Sequence, residues 1–280
     1  MAAFRFASLG SGSRGNAMLV AAGDTRLLVD NGFGLRETVR RLARLETAPE
    51  SLSAVLVTHE HSDHASGVAA LAARYRLPVY LTAGTKRAIE ARGHFDGLDV
   101  DCRRVVRGQA FVCGPLTVTP VRVPHDAAEP CQFVFDCAGA RFGMLTDLGS
   151  LTPQVVEAYA QCDALFLECN HDAKMLADGP YHASLKARVG GDFGHLGNAQ
   201  AAQLLGQVDR RRLTTLVLGH LSEKNNRVPL ARRAAAEALG CDEDSIVVAS
   251  QESGHGWLTI NESCRVPADS VGGTGSSRGA

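Results

Sequence analysis

The chain has 280 residues, and its 45% hydrophobic content is enough for a substantial buried core. A formal net charge of −1 excludes a global basic field, so a nucleic-acid partner would have to be held by a local patch and by metal. Eight cysteines occur without a C-x-x-C pair, which argues against a thiolate zinc module or a CxxC redox motif.

The first hundred residues predict strands and helices in alternation. Strands are expected at 4–9, 17–22, 26–30 and 79–82, with a Gly/Ser loop at 10–16 and helices at 35–45 and 84–92. The N-terminus has no charged segment followed by a long apolar stretch, and no window approaches about 18 uninterrupted apolar residues. We therefore expect a cytoplasmic protein without a membrane partner.

A dense group of metal-ligand residues follows the apolar run at 54–57. His59 and His61 lie two positions apart, and Asp63 and His64 come directly after them. Imidazole nitrogen and carboxylate oxygen suit Zn, Mn and Fe. Residues two apart in an extended turn point the same way, so the two histidines can converge on one ion while the later pair continues toward a second. The H-x-H-x-D-H spacing predicts half of a two-metal site.

The second half of the chain is rich in strands from 103 to 146 and then gains helices. Strands are predicted at 116–123, 132–137 and 141–145, and helices at 153–160, 199–208 and 229–239. Five apolar runs along the chain end in a candidate ligand, namely His59, His125, Asp147, Glu168 with His171, and His220. Active sites of open α/β sheets gather outside the carboxyl ends of strands, so we expect these residues to converge.

This ordered set of residues resembles the motifs of the metallo-β-lactamase superfamily. The resemblance implies an α/β fold, a four-layer αββα sandwich, formed by one catalytic domain at 1–265. The Gly/Ser-rich residues 266–280 are predicted to be a disordered tail. The implied ligands are His59, His61 and His125 for the first metal, Asp63, His64 and His220 for the second, and Asp147 between them. We expect two divalent metal ions, and nitrogen and oxygen ligands accept either Zn or Mn.

Further segments resemble a narrower group, the YycJ/WalJ-type hydrolases. They are L-G-S-G-S-R-G-N at 9–16, H-D-A-A-E-P at 125–130, E-C-N-H-D at 168–172, G-H-L-G-N at 194–198 and H-L-S-E-K-N-N at 220–226. This resemblance implies a metal-dependent nuclease that acts on DNA ends, a 5′ to 3′ exonuclease with a place in DNA repair. The implied partner is a DNA substrate, and no repair or replication protein is identified.

The chemistry expected of such a site is phosphodiester hydrolysis by a hydroxide held between two metals, with no protein nucleophile. Asp63 is predicted to ligate metal and orient the hydroxide, and His195 to contact the scissile phosphate or protonate the leaving oxygen. The candidate substrate-binding residues are Ser11, Ser13, Asn16, His195, Asn198 and Lys224. For the loop residues among these, a Gly/Ser turn or a helix cap is the structural alternative.

Two other functions stay open at this point. One is hydrolysis of a small thioester or lactone by an enzyme of the same superfamily, since fold alone does not identify a substrate. The other is a non-catalytic interaction protein that keeps only the scaffold. Retention of every ligand type argues against the latter, because buried histidines and aspartates without a purpose are costly.

Overall fold

The computed structural model describes residues 3–260, so the predicted tail at 266–280 lies outside the described residues. Within this part of the chain, fourteen strands form two seven-stranded sheets. The first sheet has the spatial order β14 (His255–Thr259), β1 (Phe4–Gly10), β2 (Ala17–Ala22), β3 (Thr25–Val29), β4 (Ala54–Leu56), β5 (Val79–Leu81) and β6 (Cys102–Arg104). The second has the order β13 (Val247–Val248), β12 (Thr215–Gly219), β11 (Ala164–Glu168), β10 (Ala140–Leu145), β9 (Cys131–Cys137), β8 (Leu116–Arg122) and β7 (Phe111–Cys113).

Helices cover the outer face of each sheet. Four lie on the side of the first sheet: α1 (Leu35–Arg44), α2 (Ser62–Ala65), α3 (Val68–Tyr75) and α4 (Ala83–Ala91). Three pack on the second sheet: α5 (Pro153–Ala158), α8 (Asn198–Gln207) and α9 (Val228–Leu239). Between these come the short helices α6 (Ala173–Asp178) and α7 (Ala183–Val189).

Both faces of the central strands are apolar because both are buried. In β11, Phe166 points into the core between the sheets, whereas Leu165 and Leu167 pack toward the helices. The two sheets meet through aromatic contacts, with the rings of Phe6 and Phe142 stacked at 4.2 Å. Such strands read as continuous hydrophobic runs rather than alternating ones. The predicted four-layer αββα sandwich is confirmed.

Local sequence signals set the helix ends. The Thr152 hydroxyl accepts a hydrogen bond from the Val155 amide, and Pro153 occupies the first turn of α5, where its missing N–H costs nothing. Gly240 ends α9 with a φ of 68°, a conformation that glycine adopts without a steric penalty. Every strand and helix predicted above from the sequence is found, with its ends within two residues of the prediction.

The directions of the parallel strands place their carboxyl ends, where the candidate ligands follow, at one edge of each sheet. Strands β3, β4 and β5 run parallel in the first sheet, and β10, β11 and β12 run parallel in the second. The carboxyl ends of parallel strands lie at the same edge of a sheet, so the loops that follow them come together.

Candidate metal centre

The histidine cluster leaves the first sheet just after β4 and then turns into a helix. His59 and His61 lie in the extended part, and α2 begins at Ser62. The helical turn carries Asp63 and His64, where the sequence predicted a continuous extended turn. The reversal of chain direction brings His64 against side chains of the second sheet, including Asp147.

Three residues of the site have a left-handed backbone conformation at the end of a strand. Asp30 follows β3, Asp147 follows β10 and His220 follows β12, and their φ angles are 58°, 55° and 54°. Non-glycine residues with a positive φ are uncommon and cluster at functional sites. At each of these strand ends the bend redirects the side chain into the space between the two sheets' loops.

The seven side chains predicted as ligands converge there. Nε2 of His125 lies 3.2 Å from Nδ1 of His61, and His59 completes this group. A second group is formed by Asp63, His64 and His220, with Asp63 Oδ2 3.4 Å from His64 Nε2 and 3.6 Å from His220 Nε2.

Asp147 lies between the two groups. Its Oδ2 is 3.4 Å from His64 Nε2 and its Oδ1 is 3.3 Å from His220 Nδ1. It also forms a potential metal-ligand group with His59 and His64. The position suits a carboxylate shared by both groups, which the resemblance implied for this residue.

Asp30 orients two of the histidines, a role that the sequence analysis missed. Its carboxylate accepts a hydrogen bond from His64 Nδ1 at 2.8 Å and from the Thr58 hydroxyl at 2.8 Å. Because the Thr58 hydroxyl donates to Asp30, it accepts from His59 Nδ1 at 2.9 Å. Nε2 is therefore the atom of each ring that faces the site, as is usual behind metal-binding histidines, and His64 Nε2 also lies 3.1 Å from Asn16 Nδ2. The signal was present, since the strand predicted at 26–30 ends in Asp30.

Glu168 has the same function on the other side of the site. It is completely buried, and its Oε1 accepts hydrogen bonds from His195 Nδ1 at 2.9 Å and from His220 Nδ1 at 2.7 Å. Its Oε2 accepts from the backbone amides of Leu196 and Leu148. Burial by itself would raise the pKa of Glu168, but His195 and His220 lower it to about 2. As an ionised acceptor, it fixes the Nδ1–H form of both rings.

The donor atoms that remain fit a divalent metal ion. His59 Nε2, His220 Nε2 and Asp147 Oδ2 are buried and have no hydrogen-bond partner. Unpaired buried acceptors are costly unless something satisfies them. Burial also lowers the pKa of His59 and His125 below the ordinary value, so both rings present neutral nitrogen lone pairs. In residue type and placement the side chains therefore suit a metal-binding site.

The site carries a surplus of negative charge when no cation is bound. Burial opposes protonation of His220, but Asp147, Asp63 and Glu168 outweigh it and raise the pKa of this ring to about 10. A proton thus neutralises part of the carboxylate charge. A divalent ion would take over that role and release the proton, as metal ligands generally do on binding.

The candidate substrate-binding residues divide into two sets. His195, Ser13 and Lys224 reach solvent, and Lys224 Nζ lies 5.6 Å from the ring of Tyr181. The other three, Ser11, Asn16 and Asn198, are buried and bonded within the fold.

The buried set supports the site from behind. The Ser11 hydroxyl accepts from the His220 amide at 2.8 Å, and Asn16 Nδ2 donates to Asp63 Oδ2 at 3.2 Å. Asn198 exchanges hydrogen bonds with Asn226 at the start of α8. His171, a candidate from the strand-end pattern, is buried beside Gly197 and is not part of any potential metal-ligand group within residues 3–260.

Comparison with known proteins agrees with this fold. Residues 25–220 match the family model of the beta-lactamase superfamily domain. In structure, the chain is similar to YhfI of Bacillus subtilis, a metallo-beta-lactamase fold protein, with a TM-score of 0.69 and 17% identity over 92% of this chain and 99% of that one. The chain belongs to the metallo-β-lactamase superfamily.

Within that superfamily, its relatives include exodeoxyribonucleases. It is 35% identical to exodeoxyribonuclease YycJ of Bacillus anthracis over 84% of this chain and 88% of the relative. It is 32% identical to exodeoxyribonuclease WalJ of Streptococcus pneumoniae over the same shares. The resemblance to the YycJ/WalJ-type group predicted from sequence is confirmed. No helix within residues 3–260 is long and apolar enough to cross a membrane.

Proposed function

We propose that this protein is a metal-dependent exonuclease that hydrolyses phosphodiester bonds at DNA ends, in the 5′ to 3′ direction. The observation that carries the proposal is the convergence of seven nitrogen and oxygen donors from two sheets, with Asp147 between two groups of three. The identity of 32–35% to exodeoxyribonucleases over most of the chain supports DNA as the substrate.

The site fits two divalent ions, zinc or manganese. His59, His61 and His125 would hold one, Asp63, His64 and His220 the other, and Asp147 both. Bound ions of this kind lower the pKa of coordinated water and neutralise charge on a phosphoryl group. Because the donors come from both sheets, we infer that the two sheets work as one catalytic domain.

Two residues of the chain act on the substrate itself in this proposal. Asp63 is held in place by Asn16 and retains a side-chain exposure of 23%, so it can orient the attacking water as well as ligate metal. His195 donates its Nδ1 hydrogen to Glu168, which leaves Nε2 free at the open side of the site. Its side chain is 19% exposed, so a substrate phosphate can reach it, and the ring protonates the leaving oxygen when Nε2 also carries a hydrogen.

The proposal is tested with end-labelled single- and double-stranded DNA and RNA, with and without a 5′-phosphate, in Mn²⁺ and in Zn²⁺. We expect DNA to be shortened from its 5′ end by the wild type, and the Asp63→Ala variant to be inactive. The matched control is Asp99→Ala, which removes an exposed carboxylate far from the site and retains activity.

Two outcomes would contradict the proposal. Rapid turnover of a thioester or lactone without cleavage of any polymer would assign the site to a small-molecule hydrolase. A metal-loaded wild type without any turnover would favour a non-catalytic interaction protein.

A further inference from the structure

A cavity of about 820 Å³ opens directly beside the metal centre. We call it the His125 cavity, because His125 forms the wall that it shares with the site. Its lining also includes Arg107, Arg122, Pro124, Asp192 and Phe193. The volume lies within the roughly 300–1,000 Å³ typical of sites that enclose a ligand of several hundred daltons. A substrate that extends beyond the scissile bond has room here.

Phe193 exposes an aromatic ring at the mouth of this cavity. Its side chain is placed by a rigid backbone, because the Phe193 carbonyl accepts from the Asp126 amide at 3.0 Å and the next carbonyl, that of Gly194, accepts from His125 Nδ1 at 3.1 Å. The residue is nevertheless 63% exposed. Single exposed apolar side chains are common, but this ring lies in the lining of a cavity that it shares with His125, where it can stack on a flat ligand.

The arginines of the cavity supply positive charge. Arg122, the last residue of β8, pairs with Cys131 of β9 through its backbone, but its exposed side chain makes no hydrogen bond or ion pair with any other residue between 3 and 260. Arg107 Nη2 lies 3.7 Å from Glu129 Oε1, too far for a hydrogen bond. The lining also contains one carboxylate, that of Asp192. Arg107 is thus ion-paired with Glu129, and Arg122 is the cation of the lining that has no ion-pair partner within residues 3–260.

We propose that the His125 cavity holds the single-stranded part of a DNA substrate next to the scissile phosphate. Phe193 stacks on one base, and Arg122 and Arg107 contact backbone phosphates. A ring that stacks on a base requires an unpaired nucleotide, because the bases of a duplex already stack on each other. This inference rests on the proposed nuclease function and specifies the form of its substrate.

Binding measurements distinguish the stacking of Phe193 on a base from the contact of Arg122 with a backbone phosphate. Metal-free full-length protein, which does not cleave, is titrated against a fluorescein-labelled oligothymidylate of about ten nucleotides, and anisotropy is recorded at several salt concentrations. Phe193→Ala should weaken binding by about five- to 150-fold, the loss that removal of one base stack brings, without a change in the salt dependence. Arg122→Ala should make the slope of log K against log salt less negative by about 0.7, the value for one phosphate contact with a single strand.

Matched controls lie elsewhere on the surface. Val112→Ala removes a similarly exposed apolar side chain, 69% exposed on β7, and Arg211→Ala removes an exposed cation that pairs with Asp209. Both should bind as the wild type does. Activity of the metal-loaded protein gives a second readout, for which bis(p-nitrophenyl) phosphate serves as a diester too small to fill the cavity. Phe193→Ala should lower kcat/KM for the oligonucleotide more than it lowers kcat/KM for this small diester.

The outcomes distinguish this inference from the function on which it rests. If the wild type shortens DNA but Phe193→Ala and Arg122→Ala bind and cleave the oligonucleotide as the wild type does, the strand does not lie in the His125 cavity and the nuclease function stands. If the wild type binds duplex more tightly than single strand, and both variants lose duplex binding alone, the occupant is a duplex and the inference is wrong. A wild type that neither binds nor cleaves nucleic acid overturns both.

Discussion

Replacing Glu168 by glutamine should weaken metal binding without unfolding the protein. Glu168 Oε1 accepts two imidazole N–H groups and Oε2 accepts two backbone amides. A glutamine amide nitrogen in the Oε2 position would leave the amides of Leu196 and Leu148 without an acceptor, at about 1–3 kcal/mol each. The amide nitrogen therefore takes the Oε1 position and faces the histidines.

In that orientation His195 and His220 must accept at Nδ1 and carry their hydrogen on Nε2. His220 then has no lone pair to offer to a cation from Nε2, the atom that is buried and unpaired in the wild type. Loss of a partner behind a metal ligand typically weakens metal affinity by about 10- to 100-fold, or about 1.4–2.7 kcal/mol. We expect a loss of this size for Glu168→Gln.

The assay is competition for Zn²⁺ against a chromophoric chelator, with thermal unfolding of the metal-free protein measured in parallel. The control is Asp163→Asn, which alters another buried carboxylate at the opposite end of the same strand, where it accepts from the Arg141 amide and from Arg212. That variant should lower the melting temperature but bind metal as the wild type does. A folded Glu168→Gln protein with wild-type affinity would refute the reasoning.

Three further predictions concern the proton donor, pH and backbone conformation. His195→Ala should reduce kcat by about 10²–10⁴-fold at unchanged metal content, measured by elemental analysis; loss of metal instead would make His195 a ligand. Burial lowers the pKa of His255 to about 4 in the folded protein, whereas the unfolded chain takes up this proton near 6.5. Acidification from pH 7 to 5 therefore favours the unfolded state, and it should destabilise the wild type by about 2 kcal/mol more than the His255→Phe variant. Urea titrations of the metal-free proteins at the two pH values measure this difference. Equal pH dependence would contradict this assignment. Gly254 has a φ of 59°, and a Cβ at this position would collide with the Ser8 carbonyl oxygen. Gly254→Ala should therefore lower the free energy of unfolding by more than 1 kcal/mol. An unchanged urea midpoint would show that the turn relaxes to accept the methyl group.

The convergence of the candidate ligands could be predicted because the sequence signals are local and periodic. Apolar runs that end in a ligand identified His125, Asp147 and His220, which lie far apart in the chain but meet at one edge of the sandwich. The same rule applies to Asp30, yet an isolated aspartate after a short strand resembles an ordinary turn residue. Its contact with Thr58 and His64 depends on the pairing of β3 with β4, which a single sequence does not reveal.

The limits of prediction lie in the direction of side chains in loops. Ser11, Asn16 and Asn198 occupy glycine-rich segments in which a polar side chain can face inward or outward, and the structure shows all three inside. The helices α6 and α7 were missed because they are short and bury little: Leu176 is the one buried residue of α6, and α7 has none. Edge strands such as β6 and β13 are too short to show a pattern.

The division of the site between two sheets has a consequence for the newly made chain. His220 follows His59 by 161 positions, and β12, which precedes it, is the last strand but one of the second sheet in chain order. At a synthesis rate of about 5–20 residues per second, the early histidines leave the ribosome about 8–30 s before the last one. During that interval the nascent polypeptide lacks part of the candidate ligand set, so the site cannot be complete before His220 has emerged.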